Sequence, residues 1–378
     1  MRAGAARAAA GRGARGPVAA LALAVLLGAC SSGDAPRPAA TAPATAVPSG
    51  PTETPAPTTA APDPRVPGPD WAGSGNAVTI AFGGDVHFEG ASRSALSGGL
   101  RPITPLLSAA DVTMVNLETA ITERGEKAPK DYNFRAPATA FRALRSAGVD
   151  VVTVANNHGQ DYGVTGLRDT LQAAKDARFP LVGAGLDDDQ AFAPWRTTVK
   201  GQRLAFFGVT HVLDSSLQGA WTARPGKPGL ASAYEEERLL RAVREARAAA
   251  DTVVVYLHWG TERRSCPNDR QLDIAPKLAA AGADIVVGSH AHVLLGAGML
   301  KRTLVAYGLG NFVFYARGGA GAQTGVLTVT VTGRRVGAYR WDPAVIGGGV
   351  PRPLAGDEAA AARRRWEALR ACTGLTAR

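Results

Sequence analysis

Ala77-Val78-Thr79-Ile80-Ala81-Phe82-Gly83-Gly84-Asp85-Val86-His87 is an apolar run that ends in two glycines, an acid and an imidazole. An uncharged, β-branched run of this length reads as a buried strand that carries its chemistry at the C-terminal end. Asp85 and His87 stand two apart, and alternate side chains of an extended backbone share a face. The pattern recurs down the chain. Positions 112–115 run into Asn116-Leu117-Glu118, and positions 149–154 into Asn156-Asn157-His158. Positions 251–257 end at His258-Trp259-Gly260, and positions 284–287 at Gly288-Ser289-His290-Ala291-His292.

Helical periodicity fills the gaps, at 138–147, 163–175, 233–250 and 272–281. A further short strand falls at 180–183. Runs at 195–199 and 203–209 have hairpin spacing around Lys200-Gly201-Gln202, and runs at 326–331 and 336–341 have it around Gly333. Another strand falls at 303–306. Strands alternating with helices, then antiparallel strands, predict an α/β sandwich with mixed sheets. The loops after successive strands of such a sheet bring strand-end residues together.

Imidazole, carboxylate and carboxamide are ligands for a divalent cation. All six histidines lie between positions 87 and 292, and five of them sit in these strand-end clusters. The set points to a buried metal site with two ions. His211 follows a strand but has no partner motif, which leaves it either a surface group or a substrate contact.

The ends of the chain differ from its middle. Positions 1–29 carry Arg2, Arg7, Arg12 and Arg15, no acid, and then an apolar run at 18–27 too short to cross a bilayer. This is a signal-peptide pattern. It ends Leu27-Gly28-Ala29-Cys30, which resembles a bacterial lipoprotein cleavage box and implies lipidation of Cys30. The expected location is outside the cell, anchored by lipid to the outer face of the bacterial cell membrane. Positions 30–76 are rich in Pro, Ala and Thr without apolar period, and read as a disordered tether. The folded domain is expected over 77–345, with a tail over 346–378 that forms a short helix packed outside. The chain has a formal charge of +10, and the leader contributes four of those charges. So modest a balance, with no basic run interleaved with aromatics, speaks against nucleic acid as a partner. It suits an anionic polymer or membrane surface.

In order, Gly84-Asp85-Val86-His87, Asn116-Leu117-Glu118, Asn156-Asn157-His158 with Asp161 and Gly163, His258-Trp259-Gly260, Gly288-Ser289-His290-Ala291-His292-Val293 and Tyr307-Gly308-Leu309-Gly310-Asn311-Phe312 resemble the poly-γ-glutamate capsule synthesis (CapA-like) family. That family resembles a branch of the calcineurin-like metallophosphoesterases. The likeness covers roughly positions 77–317. It implies a four-layer α/β/β/α metallophosphoesterase-like sandwich with two mixed sheets and a two-metal site holding Mn, Fe or Zn. It further implies Asp85, His87, Glu118, Asn157, His258, His290 and His292 as metal ligands. His158 would be the catalytic acid, kept protonated by Asp161. Glu118 stands where the superfamily has a bridging Asp, and His87 is closer to the wider superfamily than to the capsule branch.

Asn133 and Arg135, in a loop, read as contacts for an anionic substrate, although a solvated loop Arg is the simpler role. Asn116 and Asn311 join them as substrate-binding candidates. Two functions fit: a two-metal hydrolase acting on a phosphoester or an amide of an anionic polymer, or a non-catalytic accessory factor that binds or exports capsule polymer. Membrane proteins of capsule synthesis are the implied partners. Cys266 and Cys372 could pair, which would tie the tail to the loop after His258.

Overall fold

The computed structural model describes residues 67–316 and 318–378, all within one compact unit. The leader, Cys30 and the first part of the expected tether lie outside those residues. The first strand, β1 (Val78–Val86), shows how the fold is built. Val78, Ile80 and Phe82 point into one apolar layer, and Ala81 and Val86 into another. A strand with both faces buried must have a covering layer on each side. Five further elements surround it: β2 (Val112–Leu117), α1 (Thr139–Ser146), β3 (Val151–Thr153), α2 (Gly163–Asp176) and β4 (Leu181–Val182).

The second half repeats the scheme. It has β5 (Trp195–Val199), β6 (Gln202–Thr210), α3 (Glu236–Ala249), β7 (Thr252–Trp259), α4 (Asp269–Ala281) and β8 (Ile285–His290). Then come β9 (Ala297–Leu300), β10 (Thr303–Ala306), β11 (Asn311–Val313), β12 (Gln323–Thr332), β13 (Arg335–Gly347), β14 (Val350–Pro353) and α5 (Gly356–Ala368). The first sheet has eight strands in the order β14-β13-β12-β1-β2-β3-β4, with β11 paired beside β1. The second has six, β9-β10-β8-β7-β6-β5. Both are mixed: β1 to β4 run parallel and β12 to β14 antiparallel, while β6, β7, β8 and β10 run parallel between antiparallel edges.

Side-chain alternation shows the layering. Ile80, Phe82, Met114 and Val151 meet Phe206, Val254, Tyr256 and Ile285 in one layer between the sheets. Val115, Val152 and Val154 face Phe141, Leu144 and Leu167 of α1 and α2. Phe207, Val253 and Val255 face Leu239, Val243, Ile274 and Leu278 of α3 and α4. The order is therefore helix, sheet, sheet, helix, as the resemblance implies. Each large side chain so buried contributes about 1.5–3 kcal/mol. Asn268 and Gln271 form a capping box that starts α4 at Asp269, a turn earlier than the apolar period indicates.

Both expected boundaries move. Trp71 donates its indole N–H to Asp251 (2.7 Å), and Asn76 its amide to the Lys200 carbonyl (2.8 Å). Residues from Trp71 on thus belong to the folded body and not to a tether. Position 345 falls inside β13, and Arg352 lies in β14, so the sheet runs past the expected domain end. The tail helix α5 begins at Gly356. It is not an outer attachment, because Trp366 stacks on Trp341 (5.2 Å between centroids) in the layer between the sheets. Ala362 of the same helix is buried in that layer too. Cys266 and Cys372 are bonded, with Cα atoms 5.7 Å apart, which joins the loop after β7 to the segment after α5.

Candidate metal centre

The parallel strands of both sheets end at one place, and the register sets their polar residues side by side. Asp85 is opposite Asn116 and Asn311, and His290 is opposite Trp259 with Ser289 opposite His258. Bringing these chains together needs glycine at one point. A Cβ on Gly84 would lie 1.8 Å from the Gly310 carbonyl oxygen, the acceptor for the Asp85 amide (2.9 Å). The turn after β8 is left-handed at two residues that ordinarily avoid it, His290 (φ 97°) and His292 (φ 56°). Such backbone is strained and concentrates at functional sites.

Two groups of ligand atoms result. Asp85, Glu118 and His258 form one, and Glu118, His290 and His292 the other, each with its atoms within 4.8 Å of one another. Glu118 belongs to both. It is fully buried, and neither carboxylate oxygen has a hydrogen-bond partner among the described residues. Nδ1 of the buried His290 is likewise without one. An unpartnered buried carboxylate is strongly unfavourable unless a cation meets it, so these residues fit a pair of divalent ions. Asn157 joins them: its Oδ1 lies 2.7 Å from His258 Nε2, which is 3.4 Å from Glu118 Oε1.

His87 is placed differently from the expectation. It lies outside both groups, enclosed by Phe134, Phe314 and Tyr315, and its Nδ1 accepts from the Glu89 amide (2.9 Å). Its buried Nε2 has no partner among the described residues, and burial lowers its pKa to about 3. The aromatic rings packed against it come from residues far along the chain, which spacing alone does not reveal.

Asn116 does not face substrate. It is fully buried, donates to Asp85 Oδ1 (2.8 Å), lies 3.1 Å from His258 Nδ1, and accepts from Asn156 (2.9 Å). It orients ligands. Asn133 donates to the carbonyls of Ala128 and Lys130 and braces a turn. Arg135 lies over the Tyr162 ring (5.0 Å). Neither lines the cleft that opens on the centre, which is about 710 Å³. Asn311 does line it, and also holds His292 Nδ1 (2.8 Å). His211 lies apart, stacked on Tyr234 and accepting from Arg270 (3.0 Å).

His158 borders the cleft, with Nε2 3.9 Å from Glu118 Oε1 and Nδ1 2.6 Å from Asp161 Oδ2. Lys130, absent from the sequence reading, pairs with the other oxygen of Asp161 (2.7 Å) and bonds the Asn157 carbonyl. Burial drives His158 down to about 3, and the Lys130 cation adds to this against the pull of Glu118. Burial pushes Asp161 up to about 7 despite Lys130. Asp161 thus lies between His158 and Lys130, one carboxylate oxygen to each. Asp85 is the opposite case. Burial alone would raise it, but His292, His258 and Ser289 hold it well below the usual carboxylate range. His292 rises to about 9 because Glu118 and Asp85 outweigh its burial.

A buried carboxylate shared by two ligand groups, at the strand ends of a four-layer sandwich, is an arrangement that could hold divalent cations. The bacterial capsule synthesis protein PGA_cap family profile matches residues 79–316, and the chain belongs to that family. It is 36% identical over 216 residues to the PGA biosynthesis protein CapA of Bacillus subtilis (strain 168), covering 56% of this chain and 55% of that one. It is 30% identical over 213 residues to the probable polyglutamine synthesis accessory protein MT0602 of Mycobacterium tuberculosis (strain CDC 1551 / Oshkosh), covering 54% and 56%. The chain thus spans about half the length of the curated relatives it matches. Among solved structures, a novel phosphatase of Mycoplasma pneumoniae superposes with a TM-score of 0.47 at 15% identity, over 71% of this chain and 94% of that one.

Proposed function

We propose that the chain is a two-metal hydrolase of capsule synthesis, exported and anchored through a lipid on Cys30, that cleaves a phosphoester or an amide of an anionic polymer. The observation that carries this reading is Glu118, shared by both ligand groups with its two oxygens unpartnered. Asp85, Asn157 and His258 would hold one ion beside it, and His290 and His292 the other. When bound, the ions supply Lewis-acid polarisation and activation of water.

The chain's own residues supply the rest. Asn116 and Asn311 orient Asp85 and His292 through the bonds given above, and Lys130 holds Asn157 and Asp161 in place. With Nδ1 turned to Asp161, neutral His158 presents Nε2 toward Glu118 and the cleft. The water oxygen bonds to the electrophile, the ester or amide bond breaks, and the water's proton passes through Nε2 to the leaving atom.

The test is metal content together with turnover. Protein loaded with Mn, Fe or Zn is expected to bind two ions per chain and to hydrolyse a member of a phosphodiester and polyglutamate panel. Glu118→Gln is expected to lose at least one ion and about 100-fold or more in turnover. Two ions retained by Glu118→Gln at full activity would sink the reading. A second reading is a non-catalytic accessory factor that binds polymer outside the cleft; it is favoured by the rim of the cleft, where Asp131, Asp214 and Glu262 outnumber Arg263 and the already paired Lys130 and would repel a polyanion. Metal binding without turnover on any panel member would select it.

A further inference from the structure

Cys266 lies in the loop between β7 and α4, and that loop meets the metal centre in two ways. Glu262 and Arg263 line the cleft, and the Arg263 amide donates to the Ala291 carbonyl (2.8 Å). Ala291 stands between His290 and His292, the two left-handed residues of the turn after β8. Backbone of that kind persists only where its surroundings hold it. Asp85 holds the same turn by accepting from the His290 amide (3.2 Å), and Asn311 by donating to the His292 carbonyl (3.3 Å). The loop itself is thinly attached. Among the described residues, the bond to Ala291 is the one hydrogen bond that positions 261–267 make to another part of the fold, apart from Asn268 donating to Thr261 at the start of α4 (3.1 Å). The disulfide to Cys372 is the remaining attachment. Cys372 has a firm footing. Arg370 donates to the Ala297 carbonyl (2.7 Å), and Thr376 exchanges two backbone bonds with Met299 (2.8 and 3.1 Å), so this segment is pinned to the edge strand β9. Both cysteines are exposed, within reach of a soluble thiol.

We infer that the Cys266–Cys372 disulfide is a positioning device for the His290–His292 turn, so that the centre keeps its shape only in the oxidised protein. The bond carries the rigidity of β9 to the loop, and the Arg263 amide carries it on to Ala291. Without the bond the loop is held at its two ends alone, and opening of the loop and of the turn it braces becomes easier. A soluble dithiol reverses the state: the S–S bond breaks, each protein sulfur takes a proton, and the dithiol leaves as its own disulfide. The turn's role in holding an ion rests on the proposed function, whereas its coupling to the disulfide rests on the bonds described.

The test follows amide hydrogen exchange in the full chain, stripped of metal by chelator, so that failure of the two-metal reading leaves the readout untouched. Mass spectrometry reads peptides covering 261–267 and 288–293, with 79–83 in β1 as the control. Three samples are compared: the oxidised parent, the parent reduced with dithiothreitol, and Cys266→Ser combined with Cys372→Ser. Losing a disulfide also lowers overall stability, which speeds exchange throughout, and the control reports that part. Reduction and the double substitution are each expected to speed exchange at 261–267 and 288–293 about tenfold more than at 79–83. Reoxidation of the reduced parent is expected to restore its original pattern, which separates local release from misfolding. A rise at 288–293 no larger than at 79–83 would overturn the inference. So would a rise confined to 261–267, because the loop would then move without the turn.

Discussion

Among single residues, Asn116 is the least obvious member of the centre and the most informative. It touches no open space, yet one carboxamide reaches Asp85, His258 and Asn156 at once. Groups behind a ligand fix its orientation, and removing one typically weakens metal binding by about 10–100-fold. Asn116→Ala is therefore expected to weaken metal binding by that factor, measured by titration calorimetry against Mn or Zn, and also to lower the melting temperature of the metal-free protein, because Asn156 and Asp85 lose a buried partner. Affinity equal to the parent would show that Asn116 is ordinary core polarity. The ligand types themselves are legible one by one, because Asp85, Glu118, His258, His290 and His292 each follow an apolar run. Lys130 was not legible. It sits in a loop among other charges, and its partner Asp161 lies 31 positions on, so nothing local marks the pair.

Among elements, the strand-to-turn junctions bear the strain of building the site. β1 can approach the chain before β11 only because Gly84 has no side chain. Gly84→Ala would drive a methyl group into the Gly310 carbonyl, a backbone atom that cannot rotate away. Overpacking of this kind costs about 1–3 kcal/mol. We expect a loss in that range by denaturant unfolding, and weaker metal binding as Asp85 is displaced. A stability change below about 0.5 kcal/mol would mean that β11 shifts freely. Long, periodic elements such as α3 and the β12–β13 hairpin are evident in the sequence, since their apolar spacing is regular. The short strands β9, β11 and β14 are not, because three or four residues carry no period and are strands only through their neighbours.

On the scale of the molecule, the segment before β1 is stitched to the second sheet. Asp251 accepts from Trp71, the Arg203 amide (2.7 Å) and the Arg203 side chain (2.6 Å). Burial alone would raise its pKa, but Arg203 and Trp71 outweigh this and lower it below 3.8. A depressed folded pKa gives stability that is present above the unfolded value and lost as pH falls through the folded one. Asp251→Asn is thus expected to cost about 1–3 kcal/mol at neutral pH. The difference should shrink below about pH 4 in a pH series of unfolding curves. A gap that stays constant down to pH 2 would refute the charge-based account.

The sequence by itself determined the strands that carry polar ends, the order of the ligands and hence the family, because these depend on residue type and on spacing along one stretch of chain. Only the tertiary structure decided that Glu118 serves two ligand groups, that His87 stands apart, that Asn116 faces inward and that the last helix completes the core. Those properties depend on which sides of two separate sheets face each other. That is set by packing between residues a hundred or more positions apart, and no local pattern encodes it.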